Sequence, residues 1–238
     1  MKNIKAVIFD SGRVLNYPST GQWFITPNFW NYADKTRFDV IDKNKVFNAF
    51  RKADEYIMSQ KLIKTKEEEL TCFIKFYKIF SDCLPELKLD ETAIRSIAED
   101  LVYNTDKYTF YEDALGVIKS LHEKYKLAIV SDAWPSLLDV YDSNNLTSLF
   151  SCIVISSILG TTKPDAKMYL TALKELNIDP DEAVFVDDSL KNCLGAVDVG
   201  IKTFLLCRNK QAYITNKIKA MGKDYKVINT LYQLEKLL

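Results

Sequence analysis

Five short, almost purely apolar runs constrain this chain more than any other feature: "KAVIF" at 5–9, "KLAIV" at 126–130, "CIVIS" at 152–156, "AVFV" at 183–186 and "TFLL" at 203–206. A strand wetted on one face alternates apolar and polar residues, whereas a strand covered on both faces reads as a continuous apolar run. Helical spacing fills the gaps between the later runs. Asp113 to Tyr125 carries Leu115, Ile118 and Leu121, and 165–176 carries Met168, Ala172, Leu173 and Leu176. The stretch 189–198 leads to Gly200, placed as a helix-ending glycine. Alternating helices and doubly buried strands predict an α/β fold built on a doubly wound parallel sheet.

Residues 18–106 break this rhythm and contain no strand run. Val46, Phe50, Ala53 and Ile57 recur on one helix face. Thr65 with Glu68 reads as a capping box ahead of Leu70, Phe73 and Tyr77. Asp90 is placed to cap a third helix bearing Ile94, Ile97, Ala98 and Leu101. The expected organisation is a discontinuous α/β core, 1–17 plus 107–238, with an all-helical domain, 18–106, inserted after the first strand. Trp23, Phe24, Phe29, Trp30 and Tyr32 open the insert. They suit packing within it better than they suit a stacking surface for a ligand.

Composition narrows the function classes. The chain has 238 residues, with 32 Lys+Arg against 32 Asp+Glu, so nothing in its net charge recommends a nucleic-acid or anionic-membrane partner. The one histidine, His122, ends a helical pattern, and the five cysteines form no CxxC pair, which speaks against zinc. The scattered cysteines read as reduced core thiols, and "MKNIKAVIFD" lacks the apolar length of a signal peptide. With no run as long as a membrane span, a cytoplasmic location is expected. Oligomeric state is not legible.

Ligands of open parallel sheets bind beyond the carboxyl ends of the strands. Asp10 follows the first strand. Ser131 and Asp132 follow "KLAIV", Lys163 stands in the loop after "CIVIS", and Asp187 and Asp188 follow "AVFV". Singly, each has an ordinary explanation as a cap, a turn residue or a solvated lysine. Jointly, carboxylates for a hard cation, with a hydroxyl and a lysine for phosphoryl oxygens, make a phosphate-and-metal site.

In "VIFDSGRVL", "LAIVSDA", "GTTKPD" and "VFVDDSLKNCLGAVDVG", the order and types of these residues resemble the four motifs of the haloacid dehalogenase-like (HAD) hydrolase superfamily. The resemblance runs the length of the chain, with the helical insert where that superfamily carries a helical cap. It implies a Rossmann-like core and a Mg²⁺-dependent phosphomonoester hydrolase acting on a small phosphorylated metabolite, a sugar phosphate among the options. By the same resemblance, Asp10 is the nucleophile that forms an aspartyl-phosphate. Ser131, the Asp132 backbone and Lys163 hold the phosphoryl group, with Lys163 bridging it to Asp10. Asp10, Asp187, Asp188 and the Gly12 carbonyl hold Mg²⁺.

The pattern departs from most phosphatases of the superfamily at Gly12, where they carry an acid/base Asp. Ser11 points the other way in an extended segment, and Arg13 is a poor base. Gly at this position also resembles a branch that includes glucose-1-phosphate phosphatases, which suits good leaving groups. The alternatives are a phosphoryl-ligand-binding protein with little turnover and, less favoured because of the Asp187–Asp188 pair, a metal-independent haloacid dehalogenase. Gly12 also argues against a phosphomutase.

Overall fold

The computed structural model describes residues 3–238, so Met1 and Lys2 of the expected first segment lie outside it. The described residues divide into two compact units: 3–17, 110–133 and 141–238 form one, and 18–109 with 134–140 the other.

The first unit is a six-stranded sheet in the order β5-β4-β1-β6-β7-β8. Its strands are β1 (Ala6–Phe9), β4 (Lys126–Ser131), β5 (Cys152–Ile155), β6 (Ala183–Asp187), β7 (Lys202–Leu206) and β8 (Tyr225–Ile228), and every pairing is parallel. Two short segments, β2 (Asn16–Pro18) and β3 (Tyr108–Phe110), form a separate two-stranded sheet. The five apolar runs are thus the four inner strands and the edge strand β5. The sixth, β8, alternates exposed Lys226 with buried Tyr225 and Ile228, the half-wet pattern of an edge. Helices Glu112–His122, Ala166–Leu176 and Leu190–Asp198 cover the sheet. Met168, Tyr169 and Ala172 close over Ile8, Ala128 and Phe185. Strand order reverses at β1, which has β4 on one side and β6 on the other, and such a switch point opens a crevice at the carboxyl ends.

The second unit is helical. Its main helices are Lys43–Ser59, Lys66–Cys83 and Glu91–Tyr103, begun respectively by Asp42, by the Thr65–Glu68 capping box and by Asp90. Their core is largely aromatic. Phe29, Phe73, Phe76, Tyr77 and Phe80 are fully buried, and each such side chain contributes about 1.5–3 kcal/mol on leaving water. Phe24 packs on Phe76 at 4.6 Å, and Phe29 meets Trp30 edge-on at 4.9 Å, so these residues serve packing. Tyr32 is the exposed member of the group.

Trp134–Val140, expected in the α/β core, belongs to the helical unit. Trp134 meets Phe73 at 5.0 Å, and the Ser136 backbone N–H and hydroxyl both donate to the buried Glu69 carboxylate. Buried Lys107 donates to the Ser136 hydroxyl and to the Leu101 carbonyl. A segment too short to carry a hydrophobic period of its own is placed by these tertiary partners.

Candidate active site

The site lies within the sheet unit, at the carboxyl ends of β4, β1 and β6. Phe9 pairs with Ile129 on one side and Val186 on the other, which brings Asp10, Ser131 and Asp187 to nearly the same level. The Asp10 N–H donates to the Val186 carbonyl at 2.9 Å, extending the ladder one residue into the loop. Lys163 arrives from the loop after β5 and is buried. Its backbone N–H donates to Asp132 Oδ1 at 2.9 Å, so Asp132 acts on the lysine loop through its side chain.

Lys163 Nζ stands 2.7 Å from Asp10 Oδ1 and 2.8 Å from Asp187 Oδ2. Asp187 is fully engaged: its carboxylate also accepts from the Ser189 N–H at 2.7 Å and from Asn192 Nδ2 at 3.1 Å. Asp188 is more open and lies 3.8 Å from the Arg13 guanidinium. One carboxylate oxygen from each of Asp10, Asp187 and Asp188 falls within 4.8 Å of the others. Ser131, buried, closes β4 at this edge.

Burial dominates the electrostatics. It pushes the Asp10 carboxyl up to about 7, against the pull of Lys163 and with the help of Asp187. Burial likewise raises Asp188, reinforced by Asp187, and raises Asp132. For Lys163 burial works against the ammonium, but Asp10, Asp187 and Asp132 outweigh it and the group titrates above its usual range. Three crowded carboxylates around one buried lysine carry excess negative charge, the environment a hard cation relieves.

The turn after Asp10 supplies a further oxygen. The Ser11 carbonyl accepts from the Leu15 and Asn16 N–H groups, the Asn16 carbonyl from Arg13 N–H, and the Leu15 carbonyl from Tyr111 N–H. Arg208 donates to the carbonyls of Arg13 and Val14. Among the described residues the Gly12 carbonyl accepts no hydrogen bond, so one oxygen of a tightly bonded turn, two residues after Asp10, stays available. The residues fit Mg²⁺.

Neither neighbour of Gly12 replaces the missing acid. The Ser11 hydroxyl is buried between the Tyr141 hydroxyl and Asn16 Nδ2, both at 2.8 Å. Arg13 takes the left-handed conformation of the turn, with φ 61°.

The motif-four glycine also has a local reason. A Cβ on Gly195 would sit 2.5 Å from Pro164 Cβ and 2.8 Å from its carbonyl oxygen. The helix Leu190–Asp198 therefore presses directly on the residue after Lys163. Gly195→Ala is expected to push Pro164 and Lys163 off position. It should lower kcat at least about tenfold and destabilise the fold by about 1–3 kcal/mol, as overpacking does. Steady-state kinetics and urea titration check both; wild-type values for both would mean the loop yields freely.

Residues 41–206 match the family described as haloacid dehalogenase-like hydrolase. The chain belongs to that family. Glyceraldehyde 3-phosphate phosphatase of Pyrococcus furiosus is 32% identical over 58% of this chain and 59% of its own length. The enzyme of the same name from Methanopyrus kandleri is 29% identical over 53% and 54%. The chain thus spans little more than half the length of these relatives. A HAD phosphatase from Thermococcus onnurineus superposes with a TM-score of 0.64 at 24% identity, covering 98% of this chain and 97% of that one. L-2-haloacid dehalogenase from Xanthobacter autotrophicus superposes with a TM-score of 0.66 at 20% identity, covering 98% of each. At such identities the likeness is one of fold alone.

Arg208 and Asp113, which meet beside the turn after Asp10, were not read from the sequence as candidates, because their partners are set by tertiary structure.

Proposed function

We propose that the chain is a Mg²⁺-dependent phosphomonoester hydrolase acting through an aspartyl-phosphate on a small phosphorylated metabolite. The observation that carries the reading is the meeting of Asp10, Lys163, Asp187 and Asp188 at one strand edge. The phosphatase names of the relatives support the substrate class. Mg²⁺ would rest on Asp10, Asp188 and the Gly12 carbonyl and would stabilise charge on the transferring phosphoryl group. Asp187, already committed to Lys163, Ser189 and Asn192, would hold the lysine rather than the ion.

Asp10 supplies the attacking oxygen. A bond forms from its carboxylate to phosphorus while the bond from phosphorus to the leaving oxygen breaks. Lys163 offsets the repulsion between the carboxylate and the phosphoryl oxygens, and Ser131 with the Asp132 backbone N–H orients them. Water then attacks phosphorus, the bond from phosphorus to the Asp10 oxygen breaks with the carboxylate as leaving group, and inorganic phosphate departs as the water gives its proton to solvent. With glycine at 12 and Ser11 turned into the core, the leaving oxygen takes its proton from solvent or from the substrate.

That vacancy predicts a steep dependence of rate on leaving-group acidity. Gly12→Asp should flatten it, with gains up to about 10²-fold for alkyl phosphates and little for aryl phosphates or sugar 1-phosphates. The left-handed residue of the turn is Arg13, so Gly12 is not the position that needs positive φ. An unchanged leaving-group slope in a folded Gly12→Asp variant would show that another group delivers the proton.

A phosphate-release screen over phosphomonoesters, with and without Mg²⁺, tests the reading as a whole. Turnover that vanishes on chelation and returns with Mg²⁺ supports it. Binding without release would favour a phosphoryl-ligand-binding protein. Halide release in chelator would favour a dehalogenase.

A further inference from the structure

We propose that Arg208 is a positioning residue for the metal-binding turn, clamping Arg13 and Val14 so that the Gly12 carbonyl faces the ion. The inference rests on the metal reading above.

Arg208 stands just beyond β7, ahead of the helix Lys210–Lys219. Its Nη2 donates to the Val14 carbonyl at 2.7 Å, and its Nε to the Arg13 carbonyl at 3.3 Å. The other side of the fork meets Asp113, with Nη1–Oδ2 at 3.2 Å and Nη2–Oδ1 at 3.0 Å. Asp113 is itself buried and fixed, since its Oδ2 also accepts the Leu231 N–H at 2.9 Å. The face of the guanidinium lies 3.6 Å over the Tyr111 ring. Tyr111 N–H in turn holds the Leu15 carbonyl at 3.0 Å. Charge, plane and direction of one side chain are all determined by its neighbours.

The turn needs such a clamp. A left-handed non-glycine residue is strained, and it persists where the surroundings over-determine it. Arg13 is that residue, directly after Gly12. Without Arg208 the Arg13 and Val14 carbonyls lose these two donors, and the turn loses one of the restraints that hold Arg13 at φ 61°. A peptide flip at 12–13 would then swing the Gly12 carbonyl away from the carboxylates. Only a planar fork can take two successive carbonyls and a carboxylate together, so lysine is no substitute.

The test is calorimetric titration of Mn²⁺ and Mg²⁺ into the substrate-free 238-residue chain, in wild type, Arg208→Lys and Asp113→Asn, each first shown by near-ultraviolet circular dichroism to hold native packing. Removing an outer partner of a metal ligand typically weakens metal affinity 10–100-fold, and a loss in that range is expected for Arg208→Lys. Its kcat should recover at saturating Mg²⁺, which a general packing defect would not allow. Wild-type metal affinity in a natively packed Arg208→Lys overturns the clamp and leaves the phosphatase reading standing. A wild-type chain that binds neither ion overturns the metal reading itself. If neither variant packs natively, Arg208 is a stability element and the positioning role is rejected.

Discussion

Asp10→Asn should reduce turnover to the level of the buffer blank while leaving the sheet intact. The amide keeps the shape of the carboxylate but not its charge or its attacking electron pair. Every other part of the site prepares phosphorus for that one oxygen, so no partial mechanism survives it. The fold should persist because the substitution removes one carboxylate from a crowd of three around Lys163. Phosphate release measured beside the far-ultraviolet spectrum checks both halves. An Asn variant that still turned over at the wild-type rate would reduce Asp10 to a ligand or a cap.

Lys163→Met should produce the largest loss of stability of any single change in the site, together with loss of activity. The ammonium is buried against Asp10 and Asp187, and removing one partner of a buried pair typically costs about 3–5 kcal/mol. The loss depends on pH in a stated direction. Asp10 is already pushed up to about 7 with the lysine present, burial being the chief cause. Without the lysine its folded value rises further, against an unfolded value of about 3.9. A carboxyl whose folded pKa is raised loses stability as pH rises, because the unfolded chain gives up the proton first. Urea titrations in chelator should show a small deficit at pH 5 and the full deficit at pH 8. A deficit independent of pH would mean that lost packing, not the unpaired carboxylates, sets the cost.

The sheet was legible because its four inner strands are buried along almost their whole length, and double burial leaves an apolar run that needs no partner to be recognised; the edge strand β5, half buried, is still apolar throughout. Candidate site residues were legible for the same reason: Asp10, Ser131 and Asp187 are the first polar groups past such runs, and Asp188 follows Asp187. β8 was not legible, since an edge strand with Lys226 outward carries too short an apolar signal. Nor was the assignment of Trp134–Val140, which depends on Phe73, Glu69 and Lys107 from distant parts of the chain. Among candidate functional residues, Arg208 and Tyr141 escaped for a related reason. A clamp on two carbonyls and a hydroxyl buried against Ser11 are defined by contacts across about 130–195 residues of chain, and no spacing encodes them. Gly12 was legible as a departure, but the sequence does not reveal that, among the described residues, its carbonyl has no donor in a turn whose carbonyls from Ser11 and Arg13 to Asn16 are taken.

The claim on which the account turns is that Asp10 carries the phosphoryl group between substrate and water. Acid quench of the Mg²⁺-loaded chain during turnover of an aryl phosphate, followed by peptide mass spectrometry, reads this directly. The account predicts one added phosphoryl group on the peptide containing Asp10. It should be lost on hydroxylamine treatment and absent both from Asp10→Asn and from chelator-treated protein. An enzyme that releases phosphate at full rate with no phosphoryl adduct on Asp10 at any quench time, or with the adduct on another residue, would contradict it.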